Sequence, residues 1–124
     1  MKISRRDALC HLDQARALNN GGWISHSLAV GTAAERIAVH IEGLDAERAF
    51  VLGALHDIGR RFGEMEMNHV ILGYRFLLAE GDAEAAEICL THSFPVQDIT
   101  AVNGGWDLSC GDYAFLEHFL QKRT

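Results

Sequence analysis

Positive charge is scarce in this sequence: 11 Lys and Arg stand against 17 Asp and Glu, a formal net charge of −6 over 124 residues. Sequence-independent binding of a nucleic-acid backbone rests on clustered Lys and Arg, so a long nucleic acid is not expected as a partner. A small anionic ligand would need a local positive site. No apolar run approaches the ~20 residues that span a bilayer, and the start "MKISRRDALC" has no signal-peptide core. A soluble, cytoplasmic protein without a membrane partner is therefore expected. Cysteine is also scarce: Cys10, Cys89 and Cys110 cannot all pair within one chain, so reduced, partly buried thiols are expected. Cys89 and His92 form a C-x-x-H pair with no second pair to accompany it, which argues against a structural zinc finger.

Two kinds of chemistry lack their usual sequence support. There is no G-x-x-x-x-G-K-[ST] phosphate cradle; Gly53, Gly59, Gly63 and Gly73 are spread along the chain. Serines flank histidines in "SHSL" and "THSF", but neighbours in sequence do not face each other on a helix, so no catalytic triad follows.

What is present reads as helices joined by short loops, an all-α domain, since no strand-like alternation with hairpin signals competes. Ser4 opens a capping signature, and Ile3, Ala8, Leu9, Leu12, Ala15 and Leu18 keep helical spacing until "NNGG". Ser25 is expected to cap a second helix with an apolar face of Leu28, Val30, Ala33, Ala34, Ile37 and Ile41, ending before Gly43. Asp45 caps a third, expected to close at Gly59. The loop "RRFGEME" leads to Asn68, the cap of a fourth helix stopped by Gly81. Asp82 caps a fifth that ends at Phe94-Pro95, and Asp112 starts a sixth. "NGGW" occurs at 20–23 and 103–106; each is read as a glycine turn whose tryptophan anchors the next segment. "EMEM" at 64–67 is read as an exposed loop.

The stretch "AFVLGALHDIGRRFG", residues 49–63, poses the functional question. An apolar run fit to be buried on every side stops at His56 and Asp57, and burying an imidazole and a carboxylate costs several kcal/mol unless each has a partner. Seven histidines are available. His11, His40 and His118 sit in unremarkable polar settings. His26, His56, His69 and His92 each fall at or near the end of an expected helix and beside apolar residues. A bundle that gathers four such ends surrounds one cavity, and His56 with Asp57 offers one nitrogen and one oxygen ligand to the same divalent cation.

The order His26, His56-Asp57, His69, His92 resembles the HD superfamily of metal-dependent phosphohydrolases. "LHDIGR" is similar to the family's frequent H-D-I-G-K, with Arg60 where lysine is common. The resemblance runs from "SHSLAVGTAAERIA" through "NHVILGYRFLLAEG" to "AEICLTHS". It implies a helical bundle of about six helices, with a first ion on His26, His56 and Asp57. It also implies a second ion on His69 and His92, bridged by Asp57. One or two divalent transition ions, iron, manganese or another, are the expected cofactor.

The implied reaction is hydrolysis of a small phosphate ester, a nucleotide or dinucleotide, by a metal-activated water. In that reading Asp57 is ligand and orienting group, and Arg60 or Arg61 clamps a phosphate oxygen. The family closes its first site with a later aspartate. Asp98, Asp107 and Asp112 are the only ones after His92, and none matches the pattern. The expected organisation is thus a single domain over residues 1–124, cut short before that ligand. The alternatives are a non-catalytic nucleotide-binding or regulatory module with an incomplete metal site, and oxygenase chemistry at a di-iron centre. A homo-oligomer is compatible with any of these.

Overall fold

The computed structural model describes residues 2–63, 68–92 and 109–122. Six α-helices account for most of them: α1 (Arg5–Leu18), α2 (Gly22–Ala38), α3 (Ala46–Leu55), α4 (Asn68–Ala79), α5 (Ala83–Thr91) and α6 (Cys110–Lys122). A 3-10 turn, Ile58–Phe62, joins α3 to the segment before α4, and no strand occurs among the described residues. The all-α expectation is met. The "EMEM" loop, the Phe94-Pro95 stop, the second "NGGW", Asp98 and Asp107 lie outside the described residues.

Helix starts follow the cap residues where a side-chain oxygen reaches an amide. Ser4 accepts from the Asp7 amide, Asp45 from the Glu47 and Arg48 amides, and Asp82 from the Ala85 amide. Ser25 does not act this way. The second helix begins at Gly22, behind a Gly21 that makes no side-chain cap. Its entry is fixed instead by the Trp23 indole, which donates to the Asn19 carbonyl at 2.9 Å. Trp23 is thus an anchor, as expected. The sixth helix likewise begins two residues before Asp112, because Ser109 Oγ accepts from the Asp112 amide at 3.1 Å.

The apolar face expected for the second helix is also corrected. Its buried residues are Ile24, Ser27, Gly31 and Ala38, whereas Ile37 and Ile41 are 62% and 47% exposed. Size, not hydropathy, selects this face. A Cβ on Gly31 would lie 2.9 Å from the Phe50 carbonyl oxygen, and one on Gly53 would lie 2.9 Å from the Gly31 Cα. Helices α2 and α3 therefore cross with their backbones in contact, which only small residues allow.

The third helix was expected to close at Gly59, but it ends at Leu55 with His56 as its C-cap. The left-handed glycine is Gly63, at φ 123°. Gly59 has a different duty: a Cβ there would sit 2.7 Å from the Gly73 amide, so the 3-10 turn lies directly on α4. Asn19 holds the same turn from α1, donating to the Arg60 carbonyl at 2.7 Å.

Phe50, Val51, Ala54 and Leu55 of α3 form the centre of the main core, with Ala8, Leu12, Leu77, Ala86 and Cys89 around them. Ala49 and Leu52 are only partly buried, so α3 is not enclosed on every side as its composition implied. Leu116 and Leu120 of α6 pack with Val70, Ile71 and Leu90 in a second cluster. The cysteines are free; Cys89 is buried while Cys10 and Cys110 are exposed, contrary to the expectation of partial burial.

One buried acid ties three elements together. Asp82, 2% exposed, accepts from the Ile3 amide at 2.8 Å and from both terminal nitrogens of Arg48 at 2.6 and 2.8 Å. Burial pushes its carboxyl pKa up, but Arg48 and the Ile3 and Ala85 amides outweigh that and hold it down to about 2.

Gly31→Ala should cost about 1–3 kcal/mol of stability in urea unfolding, because the methyl group meets a backbone oxygen instead of a movable side chain. Asp82→Ala should cost about 3 kcal/mol, since it leaves both terminal nitrogens of a largely buried guanidinium without their carboxylate, with only Nε still held by Glu84. Asp82's folded pKa lies below its ordinary value of about 3.9, so its stabilisation is complete above that value and is lost as pH falls toward 2. Unfolding curves across that window should be steeper with pH for the natural chain than for Asp82→Asn.

Candidate metal centre

The four histidines singled out in the sequence and Asp57 converge on one place. His56 and His92 are the C-caps of α3 and α5, His69 is the second residue of α4, and His26 lies in the second turn of α2. Their rings are neighbours: the centroids are 5.5 Å apart for His26 and His56, 5.0 Å for His56 and His92, and 5.6 Å for His69 and His92. The Asp57 backbone, at φ −114° and ψ 18°, leaves the helical path and places its carboxylate among them.

The distances define two overlapping ligand groups. Asp57 Oδ1 lies 3.1 Å from both His69 Nε2 and His92 Nε2, and Oδ2 lies 3.5 Å from His56 Nε2. The ligand atoms of His26, His56 and Asp57 lie within 4.8 Å of one another, and so do those of Asp57, His69 and His92. Asp57 belongs to both groups.

The two C-cap histidines are oriented by the same device. His56 Nδ1 lies 2.6 Å from the Gly53 carbonyl, and His92 Nδ1 lies 3.1 Å from the Cys89 carbonyl, in each case three residues back. A carbonyl oxygen only accepts, so Nδ1 carries the proton and the Nε2 lone pair faces the cluster. Burial lowers the His56 pKa, which favours the neutral, ligating form.

Burial alone would raise the Asp57 pKa, but the nearby His69, His92 and His56 imidazoles outweigh it and hold the carboxyl well below the usual carboxylate range. Its side chain is 9% exposed, and the buried Oδ1 receives no well-aligned hydrogen bond even though two imidazole nitrogens stand at 3.1 Å. Several lone pairs thus point toward a shared space, the arrangement that a divalent cation satisfies and that protons on the rings would only partly satisfy. Imidazole and carboxylate donors suit a first-row transition metal. The residues fit such an ion.

The two arginines part company. Arg60 Nε lies 3.4 Å from Asp57 Oδ2, with its side chain 30% exposed. Arg61 lies over the Phe76 ring, 4.2 Å from the centroid, and is not brought to the carboxylate. Arg75 pairs with Asp112 at 2.7 Å, so Asp112 is engaged at the start of α6 and does not join the histidines. The Cys89 thiol donates to the Leu55 carbonyl at 3.3 Å, and the C-x-x-H pair is a backbone contact, not a ligand pair. His40 and His118 are exposed, and His11 stands 3.3 Å from Glu80. Sequence reasoning missed Asn19, whose amide supports the Arg60 turn; in sequence it reads only as part of a helix stop.

A family model for the HD domain matches residues 23–105. The chain belongs to the HD domain family. It thereby falls within the metal-dependent phosphohydrolase superfamily, and the matched range includes His26, His56, Asp57, His69 and His92. No curated protein and no solved structure matches the chain. Among the described residues, no helix of this HD domain is long and apolar enough to cross a membrane.

If the cluster holds an ion, His56→Ala should weaken its affinity at least about tenfold, because it removes one candidate ligand whose ring is oriented by the Gly53 carbonyl. Elemental analysis after extensive dialysis, beside His118→Ala on the exposed face of α6, should show metal lost only from the first variant.

Proposed function

We propose that this HD domain hydrolyses a small phosphate ester at its metal centre, with nucleotides and dinucleotides among the substrates to be screened. The observation that carries this reading is the membership of Asp57 in both three-residue ligand groups. One carboxylate between two sets of imidazoles is the layout of a paired-ion site that addresses a phosphoryl group from two sides.

A divalent cation bound there would supply positive charge, making a water more acidic and offsetting charge on the phosphoryl oxygens. The water oxygen forms a bond to phosphorus, the ester P–O bond breaks, and the alcohol leaves with a proton. Asp57 stays ionised, so it can accept a hydrogen bond from the attacking water while it orients the cluster. Arg60, fixed at its carbonyl by Asn19 and at its guanidinium by Asp57, is placed to meet a phosphate oxygen that is not transferred. This reading uses Arg60 and not Arg61, whose guanidinium covers Phe76.

A non-catalytic, ligand-binding module is the second reading. It is favoured by Asp112, the one described aspartate after His92, which is turned to Arg75 and away from the histidines. That reading expects metal and ligand binding without turnover.

Phosphate release from a panel of nucleotides and simple phosphate esters, with manganese or ferrous iron supplied, separates the two. Asp57→Ala should lower turnover at least about a hundredfold. Arg60→Ala should raise KM roughly tenfold with a smaller effect on kcat. A natural chain that holds its metal and releases no phosphate from any ester would refute the hydrolase reading.

A further inference from the structure

Three helices carry a histidine of the cluster and, one or two turns away on the same side, small or aliphatic residues. Val30 and Ala34 follow His26 at four and eight residues on α2. Ala49 and Leu52 precede His56 on α3, and Ile88 precedes His92 on α5. These residues, together with Gly53, His56 and His92, line a groove of about 500 Å³ that runs onto the metal centre. The volume lies within the range of small-molecule sites.

The chemistry of the lining is one-sided. Among the described residues, only His56 and His92 bring polar side-chain atoms to the groove. Both have Nδ1 committed to a backbone carbonyl and Nε2 turned to Asp57. Among the described residues, no lining side chain is left to pair with a sugar hydroxyl or a base edge, and no lysine or arginine lines the groove to meet a second phosphate. A polar group seated there would lose water without gaining a partner, whereas an apolar one gains from burial.

We infer that this groove receives the organic group of the phosphate ester, and that this group is apolar and uncharged, an alkyl or aryl residue. The inference rests on the phosphohydrolase reading and narrows its substrate class. The groove shares His56 and His92 with the cluster, so an ester whose phosphoryl group sits at the cluster has this groove beside it for its organic group.

Alkylphosphonates, which cannot be hydrolysed at the P–C bond, test this without turnover. Methyl-, butyl- and hexylphosphonate would be titrated into the metal-loaded full chain by calorimetry, beside phosphate release from hexyl phosphate, glycerol phosphate and a nucleoside monophosphate. Each added methylene should tighten binding about fourfold until the groove is filled. Hexyl phosphate should be the preferred ester. In Ala34→Asp the ratio of hexyl to methyl affinity should fall toward one, with circular dichroism and metal content reporting its folding. Val30→Thr, close in shape, should reduce the same ratio if the first variant does not fold. Equal affinity for all three phosphonates, with phosphate still released from polar esters, would overturn the groove assignment and leave the hydrolase reading standing. No binding of any phosphonate and no phosphate release would overturn both. A dimer by light scattering that excludes hexylphosphonate would show the groove to be a contact between two copies instead.

Discussion

A carboxylate buried at the end of an apolar helix is the constraint on which the rest of this structure depends. Asp57 is nine-tenths buried, and an ionised group in that position is tolerated only when its charge is matched. The protein answers with imidazoles from several different helices. His56 shares the end of α3, His69 and His92 approach the same oxygen from α4 and α5, and His26 completes the ring from α2. Protonated rings can offset the carboxylate's charge but lose their lone pairs, whereas a cation held by the neutral rings could match the charge and use the lone pairs together.

Holding five side chains at this spacing requires the backbones beneath them to come closer than ordinary side chains allow. Gly31 against Gly53 brings α2 onto α3, and Gly59 against Gly73 brings the turn after Asp57 onto α4. Each contact lies about one helical turn from a cluster residue, so a methyl group at either crossing would be felt at the centre as a shift of the ligands. Hydrogen bonds lock what the glycines permit: Asn19 fixes the Arg60 turn, and the carbonyls of Gly53 and Cys89 fix two rings. Beside this crossing Ala49 and Leu52 are incompletely covered, and they line an apolar groove next to a polar centre.

The parts of this architecture that were legible in the sequence are those decided within a few residues. Ser4, Asp45 and Asp82 start helices because their side-chain oxygens reach an amide two or three positions on, and Gly81 stops one through its own left-handed backbone. The order of His26, His56-Asp57, His69 and His92 was legible too, because polar residues at the ends of apolar segments require an explanation. Where the reading failed, a distant partner had decided the outcome. Ser25 gave way to an indole bonded to Asn19, and Ile37 and Ile41 lost their expected burial to the smaller Ser27 and Gly31. Gly59, taken for a helix stop, proved to be a contact surface for α4.

Composition, caps and the placing of the histidines were enough by themselves to determine an all-α chain with a candidate cluster of four histidines and one aspartate. Those properties follow from local backbone preference and from the cost of burying polar groups, both of which a sequence records directly. The tertiary structure alone decided which arginine meets Asp57, which nitrogen of His56 and His92 faces the cluster, and what lines the approach to it. Such choices depend on angstrom-scale distances between segments far apart in the chain, and residue identity sets those distances only after the helices have packed.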